Sequence, residues 1–203
     1  MKNIKKSFLL LVIISICCGK AFGQVCHPWG SASQNSDTGQ LNIAKNRAVE
    51  PIPGDAAVSV TLQDLLAKPT GEDKTRFAEL EGKYVYTEGY VASIPEEEGP
   101  ESCNCRKAMK SKKNGDLHIY IGETASAANT QCIIVEFTPK FKTTHPDYAS
   151  MVAKGKHVRV SGYLIYDFEH EINAVNTCGK CTGKIWRKTC WEIHPVLKLE
   201  TIK

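Results

Sequence analysis

Three common signatures of catalysis are missing from this chain of 203 residues. It has no Gly-rich phosphate loop to cradle a nucleotide, no G-x-S-x-G elbow to present a nucleophilic serine, and no H-E-x-x-H pair to hold a hydrolytic zinc. No repeat at solenoid spacing is present, which excludes a stacked-repeat architecture. A membrane-spanning run is also lacking. Residues 8–16 form a nine-residue apolar stretch, whereas a helix needs about 20 such residues to cross a bilayer.

That short stretch follows a basic start and precedes the small-x-small sequence Ala21-Phe22-Gly23. Together they form the pattern of a secretory signal peptide over residues 1–23. The expectation is cleavage before Gln24 and residence in the periplasm or outside the cell. Lipid attachment at Cys17 or Cys18 is the lesser alternative, because Ile16 and Cys17 stand where a lipoprotein signal carries a small residue. Four of the 26 Lys and Arg lie in residues 1–23, and none of the 22 Asp and Glu, which leaves 22 of each sign in the mature chain. A neutral chain lacks an overall electrostatic footprint for nucleic acid, so that partner is allowed but not favoured. An acidic run at 96–101 and a basic run at 106–113 read as solvated loop.

Residues 24–57 are rich in Gln, Asn, Ser and Gly without a sustained hydrophobic period. This composition predicts a flexible N-terminal arm, with the compact domain at 58–203. Thr61 caps a short helix carrying Leu62, Leu65 and Leu66 on one face, which stops before Pro69. Alternation then marks five strands, at 83–92, 116–122, 131–139, 156–167 and 190–200. A short helix fits between the third and fourth, opened by Pro146 and closed by Gly155. Gly89 in mid-strand reads as a bulge or sharp bend. The fold class is mainly β.

Three strands, a short helix and two strands follow the order of the OB-fold, a five-stranded Greek-key barrel. The chain resembles that superfamily over residues 80–200. The stretches DLHIYI, VEFTP and WRKTCWEIHPV also resemble uncharacterised secreted bacterial proteins that share the D-x-H and W-E-I-H-P motifs. This likeness implies a fold, and fold alone does not imply function. It implies that the third and fifth strands pair in parallel, with Ile119, Val135, Trp191 and Ile193 among the inward residues. Asp116, His118, Glu136, Glu192 and His194 then share the outer face. Matched register sets Glu136 beside His194, where the carboxylate raises the imidazole pKa.

OB proteins place ligands on this face, between the loops after the first and fourth strands. The likeness therefore implies ligand-binding residues Asp116, His118, Glu136, Trp186, Arg187, Glu192 and His194, with loops 93–115 and 168–188. Trp186 beside Arg187 and Lys188, together with Tyr163, Tyr166 and Phe168, suits stacking on sugars or bases. Three alternatives stand beside this. The face is a satisfied polar network, as in a structural module. It holds a cation through Asp116, His118, Glu136 and His194, as in a metal-dependent phosphodiesterase or nuclease. Or Trp186 tucks beneath its loop.

Seven cysteines remain after residue 23. Cys26, in the arm, is the one expected to stay unpaired, and Cys103, Cys105, Cys132, Cys178, Cys181 and Cys190 are disulfide candidates. A bridge from Cys178 to Cys181 is sterically allowed, Cys132 could reach Cys190 or Cys105, and a Cys103–Cys105 bridge would be strained. Export favours disulfides over the alternative, a zinc site of Cys103, Cys105, Cys178 and Cys181. The reading as a whole is an exported OB-fold binding protein for an oligosaccharide, an oligonucleotide or another envelope protein. Neither catalysis nor a cofactor is expected.

Overall fold

The computed structural model describes residues 26–47, 56–97, 99, 101–105, 114–179 and 183–203. The expected signal peptide with Cys17 and Cys18, the basic run at 106–113 and Cys181 lie outside the described residues. No helix among the described residues is long and apolar enough to cross a membrane.

Five strands close into a barrel: β2 (Tyr84–Val91), β4 (Leu117–Gly122), β5 (Ile133–Phe137), β6 (His157–Tyr166) and β7 (Trp191–Thr201). Two-residue strands β1 (Val58–Ser59) and β3 (Glu96–Glu97) flank β2 and β4. Around the barrel the neighbours run β2-β4-β5-β7-β6-β2, with β5 and β7 parallel and the other barrel pairs antiparallel. In order of occurrence that is strand one beside two, two beside three, three beside five, five beside four, and four beside one. This is the OB-fold, as the alternation implied.

The inward positions of each strand fill the barrel. Val85, Ile119, Ile121, Ile133, Val135, Phe137, Val160, Leu164 and Ile193 are buried in one core cluster. Trp191 lies among them with its indole N–H donating to the Asp73 carbonyl at 2.7 Å. That bond removes the cost of burying an indole donor. Helix α2 (Leu62–Leu66), capped by Thr61, sends Leu62 and Leu65 into the core. The connection from β5 to β6 holds two short helices, α3 (Pro139–Thr144) and α4 (Tyr148–Met151). Thr138 caps α3 through the Phe141 N–H, and Pro139 opens it, a start signal lying ahead of the expected helix.

Gly89 has a different role from the expected bulge. It pairs regularly with Val158. A Cβ there would lie 2.7 Å from both Ile121 Cγ2 and Leu62 Cδ2 and 2.9 Å from the Gly122 carbonyl. The missing side chain lets β2 approach β4 and α2, and so closes the barrel. The irregularity falls in β7 instead, which carries an extra residue on either side of the Gly162–Val196 pair as its register against β6 shifts.

Residues 26–47 are docked, against the expected flexible arm. Helix α1 (Asp37–Lys45), opened by Ser36 accepting from the Gly39 N–H, buries Leu41, Asn42 and Lys45. Asn42 Nδ2 donates to the Trp29 carbonyl and to Ser102 Oγ, both at 3.0 Å. Cys26 forms a disulfide with Cys105, 79 residues away. The arm passes so close to this loop that a Cβ on Gly30, whose φ is +62°, would lie 2.0 Å from the Ser102 carbonyl. The described part of the arm, residues 26–47, is therefore packed against the barrel domain.

Candidate functional site

The outer face of β4, β5 and β7 carries the residues that alternation placed there, and the arm and the 168–188 loop cover it. Asp116, Glu136, Glu192 and His194 are at most 1% exposed, and His118 is 7% exposed. Parallel pairing of Ile134 with Glu192 and Val135 with Ile193 brings Glu136 to His194. Glu136 Oε2 lies 2.9 Å from His194 Nδ1, and Glu136 Oε1 lies 2.8 Å from His118 Nε2. On the opposite edge of the His194 ring, Nε2 lies 3.6 Å from Asp116 Oδ2.

Burying this many charges is costly unless each is paired. Part of the pairing comes from Lys45 and Asp167, which sequence reasoning did not select. Lys45 of α1 enters with its ammonium 2.8 Å from Asp167, 3.8 Å from Glu101 and 3.9 Å from Glu192. Asp167 directly follows β6 and also lies 2.7 Å from His170 Nδ1. Burial alone would lower the Lys45 pKa, but Asp167 and then Glu192 outweigh it and hold the ammonium well above its usual value. Arg187 is completely buried, with Nη2 2.7 Å from Glu192 and Nε donating to the Thr189 carbonyl. It is a partner of Glu192 inside the fold, not a group offered to a ligand.

The two acids on either side of His194 respond differently. Burial would raise Glu136, but His118 and His194 outweigh it and hold its pKa well below the usual carboxylate range. Reciprocally, burial would lower His194, and Glu136 leads the groups that hold it well above the usual imidazole value. Asp116 is pushed up to about 6, first by burial, against the pull of His194 and with Glu136 and Glu101 adding.

One part of the outer face is left uncovered by the described residues. A groove of about 540 Å³ is lined by Glu96, Glu97, His118, Tyr120, Asn129, Lys184 and Trp186, among others. It lies between the loops after β2 and β6. Trp186 forms its wall, stacked on His118 with centroids 5.7 Å apart and edge-on to His170 at 5.1 Å. The Arg187 guanidinium lies 5.4 Å from the Trp186 centroid, and Ala92, Tyr120, Cys132 and Ile134 form a small apolar cluster against the indole. Both readings of Trp186 are thus partly realised: it packs under its loop and still borders the groove. Of the sequence-selected residues, His118 and Trp186 reach this groove. Tyr163 is covered by Arg47, 3.9 Å over its ring, and Tyr166 packs edge-on against Trp191 in the core.

The cysteines depart from expectation. Cys26, expected to be unpaired, bonds Cys105, while Cys103, Cys132 and Cys190 are free and buried. Cys132 and Cys190 thus form no bridge, although both begin their strands. Each is buried near its own loop instead, Cys132 donating to the Ala128 carbonyl and Cys190 lying 3.7 Å from Thr177 Oγ1. Cys178 is disulfide-bonded. With Cys105 and Cys178 consumed, the zinc site of Cys103, Cys105, Cys178 and Cys181 does not form.

No family model matches the chain, and no curated protein matches it. Among solved structures, an asparaginyl-tRNA synthetase from Pyrococcus horikoshii complexed with asparaginyl-adenylate is 19% identical, with a TM-score of 0.34, over 62% of this chain and 20% of that one. An OBody bound to hen egg-white lysozyme is 12% identical, with a TM-score of 0.37, over 68% of this chain and 98% of its own. An aspartyl-tRNA synthetase from Entamoeba histolytica is 8% identical, with a TM-score of 0.38, over 76% and 23%. The chain thus spans between a fifth and a quarter of these synthetases. The strand order and pairing described above make it a five-stranded OB barrel with a docked N-terminal arm.

Proposed function

We propose that the protein is an exported OB-fold binding module whose ligand is a neutral oligosaccharide seated in the Trp186 groove. One observation carries this reading. The face that OB barrels use for ligands is open at that groove, and its described lining combines an immobilised aromatic wall with carboxylates, an amide and an imidazole. An aromatic face packs against the C–H face of a sugar ring, while carboxylates and amides accept and donate to its hydroxyls. Charge tilts the choice away from a polyanion, since the described lining holds Glu96 and Glu97 against a single lysine, Lys184. Burial of Glu136 and Glu192, neither measurably exposed, supports binding over hydrolysis because a substrate would have no route to either carboxylate.

Calorimetric titration with a panel of neutral oligosaccharides, and in parallel with a single-stranded oligothymidylate, tests the proposal. Binding to one saccharide class, weakened about tenfold (about 1.4 kcal/mol) by Trp186→Ala, is expected. Binding of the oligonucleotide alone, with affinity falling steeply as salt rises, would replace this reading with an electrostatic one.

A further inference from the structure

Beneath the arm, on the far side of His194 from the groove, lies a second cluster that the binding reading does not use. Cys103 Sγ is 3.1 Å from Glu101 Oε2 and 3.6 Å from Asp116 Oδ2. His194 Nε2 is likewise 3.6 Å from Asp116 Oδ2. We propose that Glu101, Cys103 and Asp116, with His194 Nε2 as a further donor, form a binding site for one divalent cation of the zinc class.

Four observations carry this. First, the donor set is one thiol, two carboxylates and an imidazole, which a borderline-soft cation takes. A tetrahedral zinc, with bonds of about 2.1 Å to oxygen and about 2.3 Å to sulfur, spaces its donors about 3.5 Å apart. Glu101, Cys103 and Asp116 each have a ligand atom within 4.8 Å of the others. Second, Asp116 is 1% exposed and its Oδ1 has no hydrogen-bond partner among the described residues. A buried carboxylate oxygen without a donor is costly, and a cation would satisfy it.

Third, the surroundings have the arrangement of an outer shell. Asn104 Nδ2 donates to Asp116 Oδ2 at 2.8 Å and to Cys103 Sγ at 3.4 Å. Glu136 sits at His194 Nδ1, which turns the other ring nitrogen toward Asp116. Because Glu136 and Asp116 lie at opposite ring nitrogens, Glu136 is a positioning residue and not a ligand. Lys45 faces the other oxygen of Glu101, Oε1, at 3.8 Å. Fourth, the cluster borders a cleft of about 520 Å³ between the arm, α3 and the middle of β7, which Cys103 and Asn104 line. Binding displaces the thiol proton of Cys103 and the Nε2 proton of His194, both of which leave to solvent, and forms the metal–sulfur and metal–nitrogen bonds.

The test uses the oxidised protein, stripped by chelator and titrated with cobalt(II) as a spectroscopic probe for zinc. Expected is a saturable thiolate-to-cobalt charge-transfer absorption at one ion per chain, displaced by one equivalent of zinc. Cys103→Ser removes the band and Cys132→Ser keeps it. Glu136→Gln keeps the band and weakens the affinity about 10- to 100-fold. Absence of a charge-transfer band in the unsubstituted protein, or a band that survives Cys103→Ser, overturns the proposal. If Cys103→Ser does not fold, native maleimide labelling of the unsubstituted protein decides. Zinc must shield Cys103 from the reagent, and equal labelling with and without zinc overturns the proposal.

Discussion

Asp167 shows what a single carboxylate does in this fold. It is fully buried at the end of β6, 2.8 Å from Lys45 and 2.7 Å from His170, with Arg187 at 4.0 Å. Replacing it with Asn leaves the Lys45 ammonium buried without its nearest counter-charge. Asp167→Asn should therefore cost about 3–5 kcal/mol at neutral pH, measured by urea unfolding. The pH dependence follows from the shift. Burial would raise Asp167, but Lys45 and then His170 and Arg187 outweigh it, so its folded pKa lies below the ordinary carboxylate value. A depressed pKa contributes stability that is fully present above the unfolded value, about 3.9, and is lost as pH falls through the folded value. The gap between the unsubstituted protein and Asp167→Asn should hold steady from neutral pH to about pH 5 and shrink below about pH 4. Other acids titrate in both proteins and largely cancel from the difference. An unchanged gap in strong acid would contradict the assignment.

The arm and the closing strands make their own predictions at the scale of the element. The Cys26–Cys105 disulfide closes a loop of 79 residues and ties the segment carrying α1 to the loop that holds Glu101 and Cys103. Replacing both cysteines with Ser should lower stability by about 2–5 kcal/mol, read as a shift in thermal midpoint. Hydrogen exchange at 37–45 should also quicken, whereas unchanged protection there would show that packing alone seats the arm. Gly89→Ala should cost about 1–3 kcal/mol by overpacking, because its new methyl would meet Ile121, Leu62 and the Gly122 carbonyl below 3 Å. The barrel strands were legible because their inward apolar residues recur at every second position, and β7 even disclosed the Glu136–His194 contact through parallel register. Helix α1 was not legible. The residues it buries are Gly39, Leu41, Asn42 and Lys45, a set with one large apolar member, so the hydrophobic period is blank where the burial period is not. Ser36 as N-cap, with Asp37 in the first turn, was the one local signal. Lys45 could not be selected from sequence, since lysine is almost never fully buried unless paired and its partner Asp167 lies 122 residues away. Cysteine connectivity likewise depends on where the arm docks, which the spacing of cysteines does not encode.

Taken as a whole molecule, the barrel has two outer-face regions with different jobs. Apart from His118, which reaches the groove, the acid and imidazole residues of β4, β5 and β7 are buried and joined into a charge network with Lys45 and Arg187. Among the described residues, the strip between the loops after β2 and β6 is left uncovered and walled by Trp186. That division predicts which groups a ligand can perturb. The chain has three tryptophans, each with one indole N–H that gives a separate nuclear magnetic resonance signal. Trp191 is completely buried with its N–H bonded to Asp73, and Trp29 belongs to the arm. The measurement to make is a titration of isotope-labelled protein with the neutral oligosaccharide panel, following these three indole resonances. The account predicts a saturable shift of the Trp186 signal while the Trp191 and Trp29 signals stay in place. Saturable binding that moves Trp29 and leaves Trp186 untouched would place the ligand elsewhere and contradict it.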